Sequence, residues 1–132
     1  MYDIVVKDAE VINENSREVK SIAIKGGRIE QIAAASADLD GKKIIDGSGL
    51  VLMPGMIDDQ VHFREPGFTH KGDIGTESRA AVAGGITSYM EMPNVKPLTI
   101  NAAALEDKYT RAGSKSLANF AFYLGAANDN ID

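Results

Sequence analysis

The chain has no cysteine and no tryptophan, and it holds only four prolines and two histidines. Without cysteine there is neither a disulfide framework nor a thiolate metal site, a pattern that fits a reducing compartment. No apolar run approaches the roughly 20 residues that a membrane-spanning helix needs. Met1-Tyr2-Asp3-Ile4-Val5-Val6-Lys7-Asp8 carries no basic segment leading into a long apolar stretch, so no secretory leader is read there and a cytoplasmic location is expected. Positive charge is also scarce, with 14 Lys and Arg against 19 Asp and Glu and a net charge of -5. That balance argues against nucleic acid or an anionic membrane as the main partner. What is present is ordinary for a folded domain: 132 residues, 44% hydrophobic and 25% charged.

Residues 1–53 read as short strands with tight turns, a small β module. Tyr2 to Val6 is a strand candidate. Val19-Lys20-Ser21-Ile22-Ala23-Ile24 alternates at period two, and Arg28 to Ile32 follows after Lys25-Gly26-Gly27. The two glycines supply the positive φ angles of a hairpin turn. Lys43 to Asp46 and Leu50 to Met53 flank a second turn at Gly47-Ser48-Gly49, and antiparallel pairing is expected throughout this block.

From Pro54 the pattern changes to strand, helix, strand, helix, strand. Gly55 to Phe63 is the first strand, followed by a loop over Glu65 to Gly75. A helix is expected from Thr76, as its cap, to Ala83, with Gly84-Gly85 as its stop. Ile86 to Met92 is the second strand. Thr99 or Asn101 caps a second helix that Gly113 would end near Ala112, with Asp107 and Arg111 spaced to pair. Leu117 to Leu124 is apolar on both faces, as in a covered parallel sheet. This order argues for α/β architecture with parallel strands. A complete eightfold barrel takes about 250 residues, so the stretch from Pro54 suffices for roughly two to three of its units.

The chemistry concentrates on the first of those strands. Alternation places Asp58, Gln60 and His62 on one face and Ile57, Val61 and Phe63 on the other, while Asp59 fits neither set without a bulge. Polar groups lined up inside a parallel sheet are costly unless they bind something. Arg64 stands where the strand ends, and Asn94 occupies the matching place after the second strand, in Met92-Pro93-Asn94. Arg offers two parallel donors and Asn both a donor and an acceptor, so together they suit a small polar ligand. Arg64 in a strand-end ion pair and Asn94 as a plain turn residue are the blander readings. His70 reads as solvated, Lys71 and Asp73 as a surface pair, and Asn128-Asp129-Asn130 as a loop that could also hold a cation.

The run Pro54-Gly55-Met56-Ile57-Asp58-Asp59-Gln60-Val61-His62-Phe63-Arg64-Glu65-Pro66-Gly67 resembles the entry into the barrel of dihydroorotases, in the cyclic amidohydrolase superfamily. Glu77-Ser78, Gly84-Gly85-Ile86-Thr87 and Met92-Pro93-Asn94-Val95-Lys96-Pro97 are similar to that family's second unit. The resemblance implies a small β-sandwich module over 1–53, incomplete here, followed over 54–132 by the first strands of a truncated TIM-type (β/α)8 barrel. It implies zinc, one ion or two, and reversible hydrolysis of dihydroorotate to N-carbamoyl-aspartate in pyrimidine biosynthesis. By matching position His62 would be a zinc ligand with Gln60 at the second ligand position, and Arg64 and Asn94 would bind substrate. The remaining ligands and the catalytic acid-base group would lie on later strands, so residues 1–132 alone are expected to be inactive. They could come from the rest of the polypeptide, a partner chain or a homo-oligomer.

One departure matters. The family has His-x-His on this strand, and Gln60 stands in place of the first His. A neutral amide is a poor zinc ligand beside imidazole. That leaves two alternatives open: a non-catalytic homologue serving as a structural partner, and a sister cyclic amidohydrolase of the allantoinase or hydantoinase kind. Phe63-Arg64-Glu65-Pro66-Gly67 favours dihydroorotase over those sisters.

Overall fold

The computed structural model describes residues 1–128, 130 and 131. The chain divides into two compact units, Met1–Pro54 and Gly55–Asp132.

The first unit is one mixed sheet. Its long central strand β1 (Tyr2–Asn13) pairs antiparallel with β2 (Ser16–Lys25), which pairs antiparallel with β3 (Arg28–Ala34). On its other edge β1 pairs in parallel with β4 (Gly41–Asp46) and then, further along, with β5 (Val51–Leu52). The expected antiparallel block is therefore only partly so. Gly47 to Leu50 is not a hairpin but a step that carries the chain from β4 to β5 along the same neighbour. The turn at Gly26 and Gly27 is as expected, with φ of 57° and 75°. β1 runs past Val6 because a register shift between Val6 and Ala9, with Asp8 at φ 58°, absorbs the polar Lys7-Asp8 step without ending the strand. Val5, Ala23 and Leu39 form its buried core.

In the second unit three parallel strands, β6 (Met56–Val61), β7 (Ile86–Glu91) and β8 (Asn119–Phe122), lie in chain order. Two helices connect them, α1 (Ile74–Ala83) and α2 (Ala102–Lys115). Among the described residues the sheet is open rather than closed into a barrel. Val61, Tyr89 and Phe122 from the strands, with Phe63 just past β6, pack on Ile74, Ala81 and Ala112 from the helices. The Phe63 and Tyr89 rings stand 4.5 Å apart. Burying one such side chain contributes about 1.5–3 kcal/mol, so this cluster fixes where the ends of β6 and β7 lie.

Three local expectations need correction. Asp73, not Thr76, caps α1: its carboxylate accepts from the Gly75 and Thr76 amides, while Thr76 Oγ1 returns a contact to the Asp73 backbone. Asp73 is therefore not half of a surface pair, and Lys71 instead sits 5.8 Å over the Phe68 ring. Asn101 rather than Thr99 caps α2, and Gly113 does not end it. The extra turn brings Lys115 to a buried carboxylate, Glu65, at 2.6 Å, which outweighs the roughly 1 kcal/mol that a helical glycine costs. Asp107 and Arg111 pair at 2.7 Å as expected. Of the Asn128-Asp129-Asn130 candidate, Asp129 lies outside the described residues, and the Asn130 side-chain amide donates to the Ile100 and Gly125 carbonyls.

Two glycine replacements should act in opposite directions. Gly113 is helical with open space around it, so Gly113→Ala should raise stability by about 0.5–1 kcal/mol in urea unfolding. Gly67 has φ 89°, and an added Cβ would fall on the Lys96 carbonyl oxygen. Gly67→Ala should therefore cost about 2 kcal/mol or more.

Candidate functional site

The candidate site lies where β6 and β7 end. Between Asp58 and Val61 the β6 register slips against β7, so three steps on β6 match two on β7. Asp58 stabilises this bulge, its carboxylate accepting the Gln60 amide at 3.1 Å. The bulge accommodates Asp59 and also corrects the expected alternation. Val61 and Phe63 are buried, but Ile57, expected on the same covered face, is 71% exposed, because a one-residue slip exchanges the faces on its far side.

Beyond the bulge His62 is exposed, between buried Val61 and Phe63. Its Nδ1 lies 3.0 Å from Asn94 Oδ1. A carbonyl oxygen only accepts, so Nδ1 donates to it, and Nε2 is the ring nitrogen not committed to Asn94. An imidazole held at one ring nitrogen, with the other directed away from that contact, is the arrangement commonly found for a metal-binding histidine. The structure thus brings His62 and Asn94 together. Gln60 is exposed one strand repeat away, and no contact ties it to His62. Among the described residues no group of three or more His, Asp or Glu could hold a metal ion. His62 fits one ligand position, and these residues by themselves do not complete a site.

Arg64 is the strained member. Its φ is 71°, a left-handed conformation that costs a non-glycine residue roughly 1–2 kcal/mol. Two contacts hold it there: its N–H donates to Glu91 Oε1 at 3.0 Å, and its carbonyl accepts from the Phe68 amide at 3.0 Å. A hydrogen bond to a charged group contributes about 1.5–3 kcal/mol, enough to offset the strain. The guanidinium makes no ion pair with any described carboxylate, so the strand-end salt bridge is not what is found.

Sequence reasoning missed the buried charges beneath this site. Glu91 and Lys108 are both fully buried, with Lys108 Nζ 2.9 Å from Glu91 Oε2. The approach is out of line for a hydrogen bond, leaving Oε2 without one, while Nζ donates to the Met92 carbonyl at 3.1 Å and lies 4.8 Å over the Phe122 ring. Desolvation pushes the Glu91 carboxyl above its usual range and the Lys108 amine below its own. Glu65 is 3% exposed. It takes Lys115 at 2.6 and 2.9 Å and the Ile74 amide at 3.0 Å, tying the loop after β6 to the start of α1 and the end of α2. The signal for Lys108 was readable: it falls between Leu105 and Ala112 on the apolar stripe of α2.

Next to the Glu65 loop, the Lys96 amide donates to the Pro66 carbonyl at 3.1 Å. The loops after β6 and β7 are thus joined backbone to backbone, and His62, Arg64 and Asn94 stand on one connected rim.

No family model matches the chain. It is 43% identical over 133 residues to allantoinase of Escherichia coli (strain K12), an alignment covering 99% of this chain and 29% of that protein. Its structure superposes with a TM-score of 0.93 on L-hydantoinase (dihydropyrimidinase) from Arthrobacter aurescens, at 30% identity over 98% of this chain and 29% of the other. D-hydantoinase from Thermus sp. matches with a TM-score of 0.75 and 26% identity, over 93% and 27% of the two chains. The chain is a homologue of allantoinases and hydantoinases. These are members of the cyclic amidohydrolase superfamily, and the chain spans about 29% of the length of the allantoinase it matches. None of these three relatives bears the name dihydroorotase.

The buried pair makes a pH-dependent prediction. Lys108→Met leaves the Glu91 carboxylate unpaired, which should cost about 3–5 kcal/mol. A carboxyl whose folded pKa is raised stabilises the fold below its ordinary value of 4.5, and that contribution is lost as pH rises through the folded pKa. Urea unfolding should therefore show a larger deficit for Lys108→Met at pH 8 than at pH 5.

Proposed function

We propose that the intact protein is a zinc-dependent cyclic-amide hydrolase of the allantoinase and hydantoinase kind, and that this chain supplies its first metal ligand and part of its substrate rim. The observation that carries this reading is His62: exposed at a strand end, with Nδ1 committed to Asn94 and Nε2 outside that contact. Residues 54–132 are read as the opening strands of a barrel. β6 and β8 are the outer strands of the described sheet, and further strands from the same polypeptide or a partner chain would pair with them.

His62 would hold the metal through Nε2, and Gln60 would stand beside that position as a weaker, neutral donor. When bound, zinc supplies a nucleophile near neutral pH and draws charge from the carbonyl under attack. Asn94 orients the imidazole through Nδ1. Arg64 offers donors to an oxygen-rich ring substrate. The small-molecule partner is a cyclic ureide or imide. No described helix is long and apolar enough to cross a bilayer.

A second reading keeps the same chemistry with dihydroorotate as substrate, favoured by Phe63-Arg64-Glu65-Pro66-Gly67. The 43% identity to an allantoinase weighs toward the first. Gln60 also motivates a third outcome, a homologue without catalysis.

Intact protein loaded with zinc should hydrolyse allantoin or hydantoin in preference to dihydroorotate. Preference for dihydroorotate would select the second reading, and absence of stoichiometric zinc together with absence of turnover would select the third. His62→Ala should remove bound zinc, measured by elemental analysis of purified protein. Asn94→Ala should weaken zinc about 10–100-fold without changing the fold.

A further inference from the structure

The Glu91–Lys108 pair sits directly under the rim but touches neither His62 nor any ligand position. Its carboxylate is instead spent on backbone: Oε1 accepts the Arg64 amide at 3.0 Å. Arg64 follows just after β6 ends at Val61 and is the one non-glycine residue of that loop at positive φ. Lys108 in turn is fixed from three sides, by Glu91, by the Met92 carbonyl and by the Phe122 ring. A purely structural pair could lie anywhere in the core. This one accepts the amide of the left-handed residue from which the Arg64 guanidinium projects.

We infer that Glu91, braced by Lys108, is a positioning residue for Arg64, setting the guanidinium for recognition of a ring substrate's oxygen. The inference rests on the reading that Arg64 faces substrate, but its backbone half stands apart from that reading. Losing the acceptor should release Arg64 into ordinary extended conformations and misdirect its side chain even where the fold survives.

The test uses intact protein and three variants. Glu91→Gln/Lys108→Met removes both charges but keeps a carbonyl oxygen for the Arg64 amide. Glu91→Leu/Lys108→Met removes the acceptor as well. Glu91→Asp keeps the ion pair but withdraws the acceptor by one methylene, and it serves if the Leu variant does not fold. Amide hydrogen exchange at Arg64 should stay slow in wild type and in the Gln double variant, and become fast in the Leu double variant and in Glu91→Asp, with Phe122 protection unchanged. In steady-state kinetics on whichever of allantoin, hydantoin or dihydroorotate the wild type hydrolyses, the same two variants should lose about a hundredfold in kcat/KM, mainly through KM. The Gln double variant should recover most of it.

Equal Arg64 protection and equal KM across the three variants would overturn the inference and leave the pair a plain core feature. Fast exchange with no kinetic change would also overturn it, by showing that Arg64 moves without consequence for substrate. If wild type hydrolyses none of the three compounds, the function reading fails, and exchange at Arg64 still decides the positioning role.

Discussion

A buried carboxylate at the end of a parallel strand carries this structure. Glu91 is fully buried, so its charge must be met by what surrounds it: Lys108 and the Arg64 amide. That requirement runs in both directions. The carboxylate needs donors, and the Arg64 backbone, turned left-handed just past β6, needs an acceptor to stay there. One group thereby joins the core beneath α2 to the rim where β6 and β7 end. An exposed residue in that place would be screened and worth little. Burial makes the contact strong and also makes it unforgiving.

Glu65 does similar work one residue along. The sequence run that looks most like a functional signature, Phe63 to Gly67, turns out to be largely scaffold. Phe63 stacks on Tyr89, Glu65 ties α1 and α2 to the loop, and Gly67 lets the loop pass against Lys96. Only Arg64 in that run has a side chain left for a ligand. This explains why the run pointed firmly to a superfamily and less firmly to a substrate. Residues that shape a loop are needed whichever ring is bound in front of it, so they do not separate dihydroorotate from allantoin or hydantoin.

What could be read in advance follows the same physics. The parallel order of β6, β7 and β8 was legible because apolar strands alternate with capped helices, and the Gly26-Gly27 hairpin because only glycine takes two positive φ angles cheaply. Asn94 and His62 were legible as strand-end polar residues, though not that they would bond to each other. The face of Ile57 was misread, since a bulge leaves no trace in hydrophobic alternation beyond one ill-fitting residue, Asp59. The length of α2 was misread because Gly113 carries a local stop signal, while the contact that overrides it, Lys115 to Glu65, joins residues 50 positions apart. The parallel pairing of β4 and β5 was likewise hidden, being a matter of which strand lies beside β1.

Asn94 bonds His62 and Glu91 bonds the Arg64 backbone, contacts that need no ligand to form. A crystal structure of the intact protein, solved both empty and with a ring amide bound, measures this most directly. The same left-handed Arg64 on Glu91 and the same His62–Asn94 bond are expected in both states, with the guanidinium within hydrogen-bond distance of the bound ring. An extended Arg64 detached from Glu91 in the empty protein, or a guanidinium turned away from the bound ring, would contradict that expectation.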